Sequence, residues 1–452
     1  MDCRLAVLIC VLIALPDRIA TPAAAQDAHE KHSAATHGAI MSHDTSMPNH
    51  SANADHGMMM TGLLGIPRSR TGSGTSWLPD SSPMYGLMAS AGDWMFMFHE
   101  NIFVGYDWFG SERGGQRLIS VNSLMAMAVH PLGPGEISAR VMLSAEPLTV
   151  GKRGYPLILQ TGETVGGLAL HDRQHPHDLF MELALDYSVA LTNDIGLQLY
   201  VAPAGEPALG PTAFPHRVSA MSDPLAPIGH HWQDSTHISF GVVTLGVFTR
   251  QLKLEGSWFN GREPDERRWD IDLRVPDSFS GRITWNPNMS WSLQASHGYL
   301  ASPETLDTSI SINRTTFSAS YDYRASQHGN WATTLIFGAN TEREEGTTPS
   351  FLLESNWNID GHHDVFGRLE YLRKAGRDLV VVPALETRTF DLASVGLGYA
   401  YYFGPVASFS PALGVRGSLA VVDAALDSAY GTRTPLGFMV FAELRPVAVA
   451  MH

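Results

Sequence analysis

Short segments in which apolar and polar residues alternate make up most of this chain of 452 residues. Between residues 92 and 445, about 16 such segments follow one another, each of roughly 9–13 residues. In residues 278–286, for example, Phe279 and Trp285 lie on one face and Arg282 lies on the other. Side chains of a β-strand point alternately to opposite sides, so this period of two predicts strands. The chain is therefore predicted to be all-β, and the alternation alone leaves both a soluble sandwich and a membrane barrel open.

The lengths of the connections between these segments separate the two architectures. The short connections fall at 131–135, 192–194, around 250, 286–288, 325–329 and 360–363. The long ones fall at 148–177, 203–235, 261–276, 300–312, 341–348, 374–387 and 420–433. A membrane barrel requires tight turns at one end and long loops at the other, whereas the crossings of a sandwich would not sort them in this way. We therefore predict a transmembrane antiparallel up-and-down β-barrel of about 16 strands. It is expected in the lipid of a bacterial outer membrane, with both termini in the periplasm.

Residues 1–25 have the features of a secretory signal peptide. Arg4 precedes an apolar run, and alanines around Ala25 provide a small-residue cleavage site. Both cysteines of the chain, Cys3 and Cys10, lie within this segment, which leaves the mature protein without disulfides or thiolate metal ligands. After the signal peptide we predict a disordered tail at 26–60, a linker or plug segment at 61–91, the barrel at 92–445 and a C-terminal extension at 446–452.

Histidine and methionine dominate the predicted tail, which has too few large apolar residues to build a core. Imidazole accepts Cu(II) or Zn(II) and thioether sulfur selects Cu(I), so the mixture favours copper and also admits zinc. The alternative is a solvated linker that binds no metal. The candidate ligands in the tail are His29, His32, His37, His43, His50, His56, Met41, Met47, Met58, Met59 and Met60. The formal net charge of −15 argues against nucleic acid as a partner.

Two further groups of candidate metal ligands lie in long loops, at the starts of strands that have only one strand between them. Neighbouring strands are about 4.8 Å apart, so the two groups would be roughly 10 Å apart, a gap that loop side chains can close. The first group is His171, His175, His177 and Asp178, and the second is His230, His231, Asp234 and His237. Together they predict a His/Asp metal site at the outer mouth. The alternative is structural, because Arg173 and Arg217 can hold the same loops together by hydrogen bonds.

Catalysis is the least favoured alternative for these loops. Ser235 and His237 supply a hydroxyl and an imidazole on one face of a predicted strand, next to the carboxylate of Asp234. A lipid hydrolase would place such groups toward the acyl chains, but Ile238, Phe240 and Val242 are assigned to the lipid-facing side. We therefore expect the protein not to be an enzyme.

Residues 74–445 include GTSWLPDSSPMYGLM, LALHDRQHPHDLFMELA and GHHWQDSTHISFGVVT. This part of the chain resembles a family of uncharacterised bacterial outer-membrane proteins, a resemblance that implies a barrel and no particular activity. The overall plan, a His/Met-rich N-terminus before a barrel, is similar to that of copper-resistance outer-membrane proteins of the B type. That similarity implies metal transport or resistance, with copper ions and periplasmic copper proteins as partners. The alternative is a general diffusion porin or a structural surface barrel.

Overall fold

The computed structural model describes residues 60–326, 328–343 and 346–449. Strands dominate, and helical structure is limited to short pieces, among them α1 (Glu146–Thr149), α2 (His230–Gln233) and α3 (Asp427–Tyr430). Within the described ranges, no helix is long and apolar enough to cross a membrane. The strands are β1 (Leu87–Ala91), β2 (Trp94–Gly110), β3 (Gly115–Leu132), β4 (Gly135–Leu143), β5 (Tyr155–Val165), β6 (Leu168–Gln174), β7 (Phe180–Ala190), β8 (Gly196–Gly205), β9 (Ser239–Phe248), β10 (Leu252–Asn260), β11 (Ser278–Asn288), β12 (Trp291–Ala301), β13 (Ser311–Arg324), β14 (Asn330–Glu342), β15 (Gly346–Asn358), β16 (His363–Ala375), β17 (Thr389–Tyr402), β18 (Phe409–Val421) and β19 (Leu436–Pro446).

Sixteen of these strands form a closed barrel in the described part of the chain. Each pairs antiparallel with the next, β4 with β7, and the last strand, β19, pairs with the first barrel strand, β2. Strand β1 adds a hairpin to β2, while β5 and β6 form a separate two-stranded sheet within the loop between β4 and β7. The predicted up-and-down barrel of about 16 strands is confirmed.

The two faces of the barrel wall have opposite chemistry. On β11, Phe279 and Trp285 are 60% and 48% exposed on the outside, whereas Arg282 is only 3% exposed on the inside. The same alternation recurs around the wall: leucine, valine and aromatic side chains face outward and charged residues face the lumen. A soluble barrel would bury its apolar side chains inside; this arrangement suits a wall surrounded by lipid.

The connections are sorted by length, and we call the two ends of the barrel the short-turn end and the long-loop end. At the short-turn end, β3 and β4 are separated by two residues, 133–134; at the long-loop end, residues 206–238 separate β8 from β9. The prediction of a long connection at 341–348 is wrong. Glu342 pairs with Gly346, so strands β14 and β15 continue almost to the tip of their hairpin. The connection between β2 and β3, residues 111–114, is also short.

Two segments fold into the lumen. The N-terminal segment, residues 60–86, enters near the short-turn end, where Lys253 Nζ donates to the carbonyl of Thr75 at 2.5 Å. The lumen loop, residues 206–238, is held against the opposite wall by Arg217 Nε, which donates to Glu354 Oε1 at 2.6 Å. The two segments touch, since the backbone N–H of Ala213 donates to Ser73 Oγ at 2.8 Å. Nearly every residue of the lumen loop is buried.

The faces assigned to the start of β9 are a correction. Ile238, Phe240 and Val242 were expected to face lipid, but all three are buried, and Val243 is the first exposed residue. Gly241 has φ of +62°, and the register of β9 with β10 shifts near Asn260. The burial itself alternates regularly from Phe240 to Phe248: the even-numbered residues are buried, and the exposed residues Val243, Leu245 and Val247 define the outward face.

Candidate metal centre

Three loops of the long-loop end bring the candidate site together. The connection between β4 and β7 carries His175 and His177, and the lumen loop carries His230, His231 and His237. In α2 and the turn after it, His230 and Asp234 are four residues apart, which places their side chains on one face. The third loop, 261–277 between β10 and β11, adds Glu263 and Arg268 from outside both predicted groups.

The five imidazoles form a ring, which we call the histidine cluster. Around this ring, neighbouring ring centroids are 6.5 Å apart for His175 and His177, and 5.3 Å apart for His177 and His237. They are 5.0 Å apart for His237 and His230, 5.3 Å for His230 and His231, and 5.9 Å for His231 and His175. All five side chains are buried and line a cavity of about 10 Å³.

Each imidazole is oriented by an acceptor at its Nδ1 atom. The carboxylates of Glu146 and Glu263 accept from His177 and His231 at 3.0 and 2.8 Å, and the backbone carbonyl of Pro176 accepts from His175 at 3.2 Å. Asp234 serves two rings: its carboxylate accepts from His230 at 2.6 Å and its backbone carbonyl accepts from His237 at 2.9 Å. Because these partners are acceptors, the proton of each ring in its neutral form lies on Nδ1 and the lone pair on Nε2. Metal-binding histidines in proteins are held in this way.

The Nε2 atoms are the available ligands of the cluster. Those of His177, His231 and His237 are buried, and no hydrogen-bond partner for them lies among the described residues. Burial, with the neighbouring imidazoles, lowers the pKa of His175 and His237 well below the usual value. These rings are therefore neutral at pH 7 and offer a lone pair. An unpartnered buried polar atom is costly, and a bound cation would remove that cost.

Burial would also lower the pKa of His177, but the charge and hydrogen bond of Glu146 outweigh it and raise that pKa. Arginines neutralise other carboxylates nearby: Arg268 pairs with Asp178 at 3.0 Å and also with Glu163. For Glu146 and Glu263, in contrast, the only cationic partners at ion-pair distance among the described residues are histidines. A cation bound at Nε2 would therefore lie close to the negative charge of carboxylates behind the rings.

The ligand atoms of the cluster are not yet gathered around one point. In a tetrahedral site, ligand nitrogens are about 3.4 Å apart. Among the described residues, the set of three ligand atoms within 4.8 Å of one another is that of Asp265, Asp270 and Asp272, on a more exposed part of the third loop. The histidine rings would therefore have to move inward to share one ion through three nitrogens.

The structure distributes the predicted ligands unevenly. It gathers the five histidines named above, while Asp234 and Asp178 lie behind them, paired with Arg217 and Arg268. His171 lies on β6, away from the cluster, and its ring contacts Arg113 and Asp172. Met60 packs near other methionines. The remaining tail candidates and the signal peptide lie outside the described residues.

The serine and histidine considered for catalysis have other partners. Ser235 Oγ accepts from Arg314 at 2.8 Å, and Nδ1 of His237 donates to the backbone of Asp234. Sequence reasoning did not find Glu146, Glu263 or Arg268, which come from distant loops without a spacing signal. Gly162 also contributes: a Cβ there would lie 2.2 Å from the ring of His231.

Comparisons with known proteins describe the barrel. No protein-family model matches the chain, and no curated protein matches it. The chain is similar to an anion-selective porin from Comamonas acidovorans, with 10% identity, a TM-score of 0.48 and coverage of 78% of this chain and 99% of that one. It is also similar to OmpF of Salmonella typhi in complex with daunomycin, with 7% identity, a TM-score of 0.48 and coverage of 79% and 99%. At this level the strand pairing described above, rather than the similarity, defines the fold.

Proposed function

We propose that this protein is a barrel of the bacterial outer membrane that binds a transition-metal ion inside its lumen, for transport or resistance. The observation that carries the proposal is the histidine cluster: five buried imidazoles with Nδ1 held by acceptors, three of which have a buried Nε2 without a hydrogen-bond partner among the described residues. Imidazole suits copper and zinc, and carboxylates behind the rings strengthen both. In this proposal the long-loop end faces outward and the tail, residues 26–60, captures metal in the periplasm, with periplasmic copper proteins as partners.

Metal titration of the mature full-length protein tests this proposal. Cu(II) and Zn(II) binding is compared between the wild type and the double variant His177→Gln/His237→Gln, with the tail present in both. We expect the variant to lose one tightly bound equivalent, because two central ligands are removed. The matched control is His297→Gln/His363→Gln on the barrel wall, where His297 is exposed and His363 half-buried. Equal binding by all three proteins would contradict the proposal.

The second candidate function is a general diffusion porin, and the barrel itself supports it at least as well. Sixteen closed strands with a polar lumen are the architecture in which porins leave an aqueous channel. Single-channel conductance separates the two functions. Large steady openings that Cu(II) and Zn(II) do not alter would favour the porin, whereas small openings that these ions reduce would favour a metal site in the lumen.

A further inference from the structure

A second cavity in the lumen is lined by more methionines than histidines. It has a volume of about 100 Å³ and lies between the N-terminal segment, the wall strands β2 to β4 and the lumen loop. We call it the methionine cavity. Its sulfur- and imidazole-bearing residues are Met84, Met97, Met125, Met127, Met142, Met221, His99 and His216.

Strand register gathers these side chains. Met97 on β2 is directly opposite Met127 on β3, and His99 is opposite Met125. Met125 is in turn opposite Met142 on β4. Opposite residues on neighbouring antiparallel strands have Cβ atoms about 5 Å apart, and residues two apart share a face. Since Met97, Met127 and Met142 are buried, this row of sulfur atoms faces the lumen.

Two imidazoles take part in the cavity. Nε2 of His216 is 3.3 Å from Sδ of Met142, and Nε2 of His99 contacts Sδ of Met97. Each of these two imidazoles therefore places a ring nitrogen beside a thioether sulfur.

Packing alone does not account for this arrangement. Methionine fills gaps in cores, and a packing role predicts that the gap is filled. Here Met84, Met97 and Met127 do pack in a hydrophobic cluster, yet the methionines also border an open volume, although protein interiors contain few voids larger than a water molecule. Thioether sulfur with neutral imidazole is a soft ligand set, which selects Cu(I) over harder cations.

The methionine cavity and the histidine cluster both border a third, smaller cavity. This cavity of about 10 Å³ is lined by Met142 and His216, which belong to the methionine cavity, and by His237, which belongs to the cluster. We propose that the methionine cavity is a binding site for a soft monovalent cation, Cu(I), on a path through the lumen to the histidine cluster. This inference extends the proposed function, and its test uses a different cation so that the two can fail separately.

Titration with Ag(I), a soft and redox-stable monovalent cation, tests the site. The mature full-length protein is compared with the variant Met97→Leu/Met127→Leu, because leucine keeps the volume and removes the sulfur. We expect the variant to lose one equivalent of Ag(I) or to bind it at least about 10-fold more weakly. The matched control is Met289→Leu/Met439→Leu, at an exposed turn and a distant buried wall position that do not line the cavity.

The outcomes separate the two sites. Unchanged Ag(I) binding in Met97→Leu/Met127→Leu would overturn the methionine site and leave the histidine cluster untouched. Loss of Ag(I) binding with unchanged Cu(II) and Zn(II) binding supports it. If the variant does not fold, crystals of the wild type soaked in Ag(I) decide the question: an anomalous peak in the cavity supports the site, and its absence overturns it.

Discussion

At the scale of single residues, Glu146 raises the pKa of one member of the histidine cluster, His177. The charge and hydrogen bond of this carboxylate overcome the effect of burial. A metal must displace the proton of His177, so affinity should fall as the pH decreases through that pKa. In Glu146→Gln the pKa of His177 decreases, so we expect this fall at lower pH, with affinity at neutral pH about 10- to 100-fold weaker. Zn(II) dissociation constants between pH 8 and 5 measure both effects.

The control for this prediction is Glu112→Gln, which changes an exposed carboxylate outside the cluster. It should leave the pH profile as in the wild type. A Glu146→Gln protein with the wild-type midpoint would show that His177 does not compete with the metal for a proton.

Gly162 gives a second residue-scale prediction. Its φ is +124°, and an added Cβ would lie 2.2 Å from Cε1 of His231. Gly162→Ala should displace that ring and weaken Cu(II) binding about 10-fold or more, while the barrel still forms. Gly166→Ala is the matched control, because Gly166 also has positive φ, +63°, but nothing lies within 4 Å of its Cβ position. Equal binding by the two variants would exclude a role for the His231 ring.

At the scale of elements, the sequence predicts strands better than loops, for a physical reason. Lipid outside and charge inside impose a period of two on every wall strand, so Phe279 and Arg282 can be assigned by parity alone. At β9 the predicted faces are inverted, because they are counted from His237 in the preceding loop rather than from the exposed residues Val243, Leu245 and Val247. The histidine cluster depends on the paths of three long loops. The sequence motifs identify its five histidines, but they do not identify Glu146 or Glu263, which orient two of these imidazole rings.

The lumen loop is the element on which the site depends most, and Arg217 anchors it. This buried guanidinium contacts Asp234 at 2.5 Å and Glu354 at 2.6 Å. Breaking one side of a buried ion pair costs about 3–5 kcal/mol, because the remaining charges lose their partner. We expect Arg217→Met to release the loop, so that protease cuts within residues 206–238 and the single-channel conductance increases. Limited proteolysis in detergent and planar-bilayer recording measure these changes.

The matched control is Arg373→Met. Arg373 pairs with Asp391 at 2.8 Å, but both side chains are well exposed, and such surface pairs contribute about 0–1 kcal/mol. This variant should keep the protease resistance and conductance of the wild type. Protease resistance in Arg217→Met as well would mean that other contacts hold the loop.

At the scale of the whole molecule, the lumen contains two obstructions in series. The N-terminal segment is bound to the wall near the short-turn end through Lys253 and Arg282, which donate to Thr75. The lumen loop lies beyond it and meets it where Ala213 contacts Ser73. Because the two obstructions act as resistances in series, removing one leaves the other to limit the current. The polar wall behind both would then resemble that of an open 16-stranded channel.

This arrangement predicts how conductance responds when each segment is replaced by a flexible Gly/Ser linker of equal length. Replacing residues 67–82 alone, or 211–228 alone, should increase the conductance by less than about 2-fold, because one obstruction remains. Replacing both should increase it by considerably more than the sum of the two single effects, toward the value of an open 16-stranded barrel. The histidine cluster lies outside residues 67–82, so the first variant should also keep Cu(II) binding. A full-size channel in the unaltered protein would contradict the two-obstruction arrangement and favour the diffusion porin.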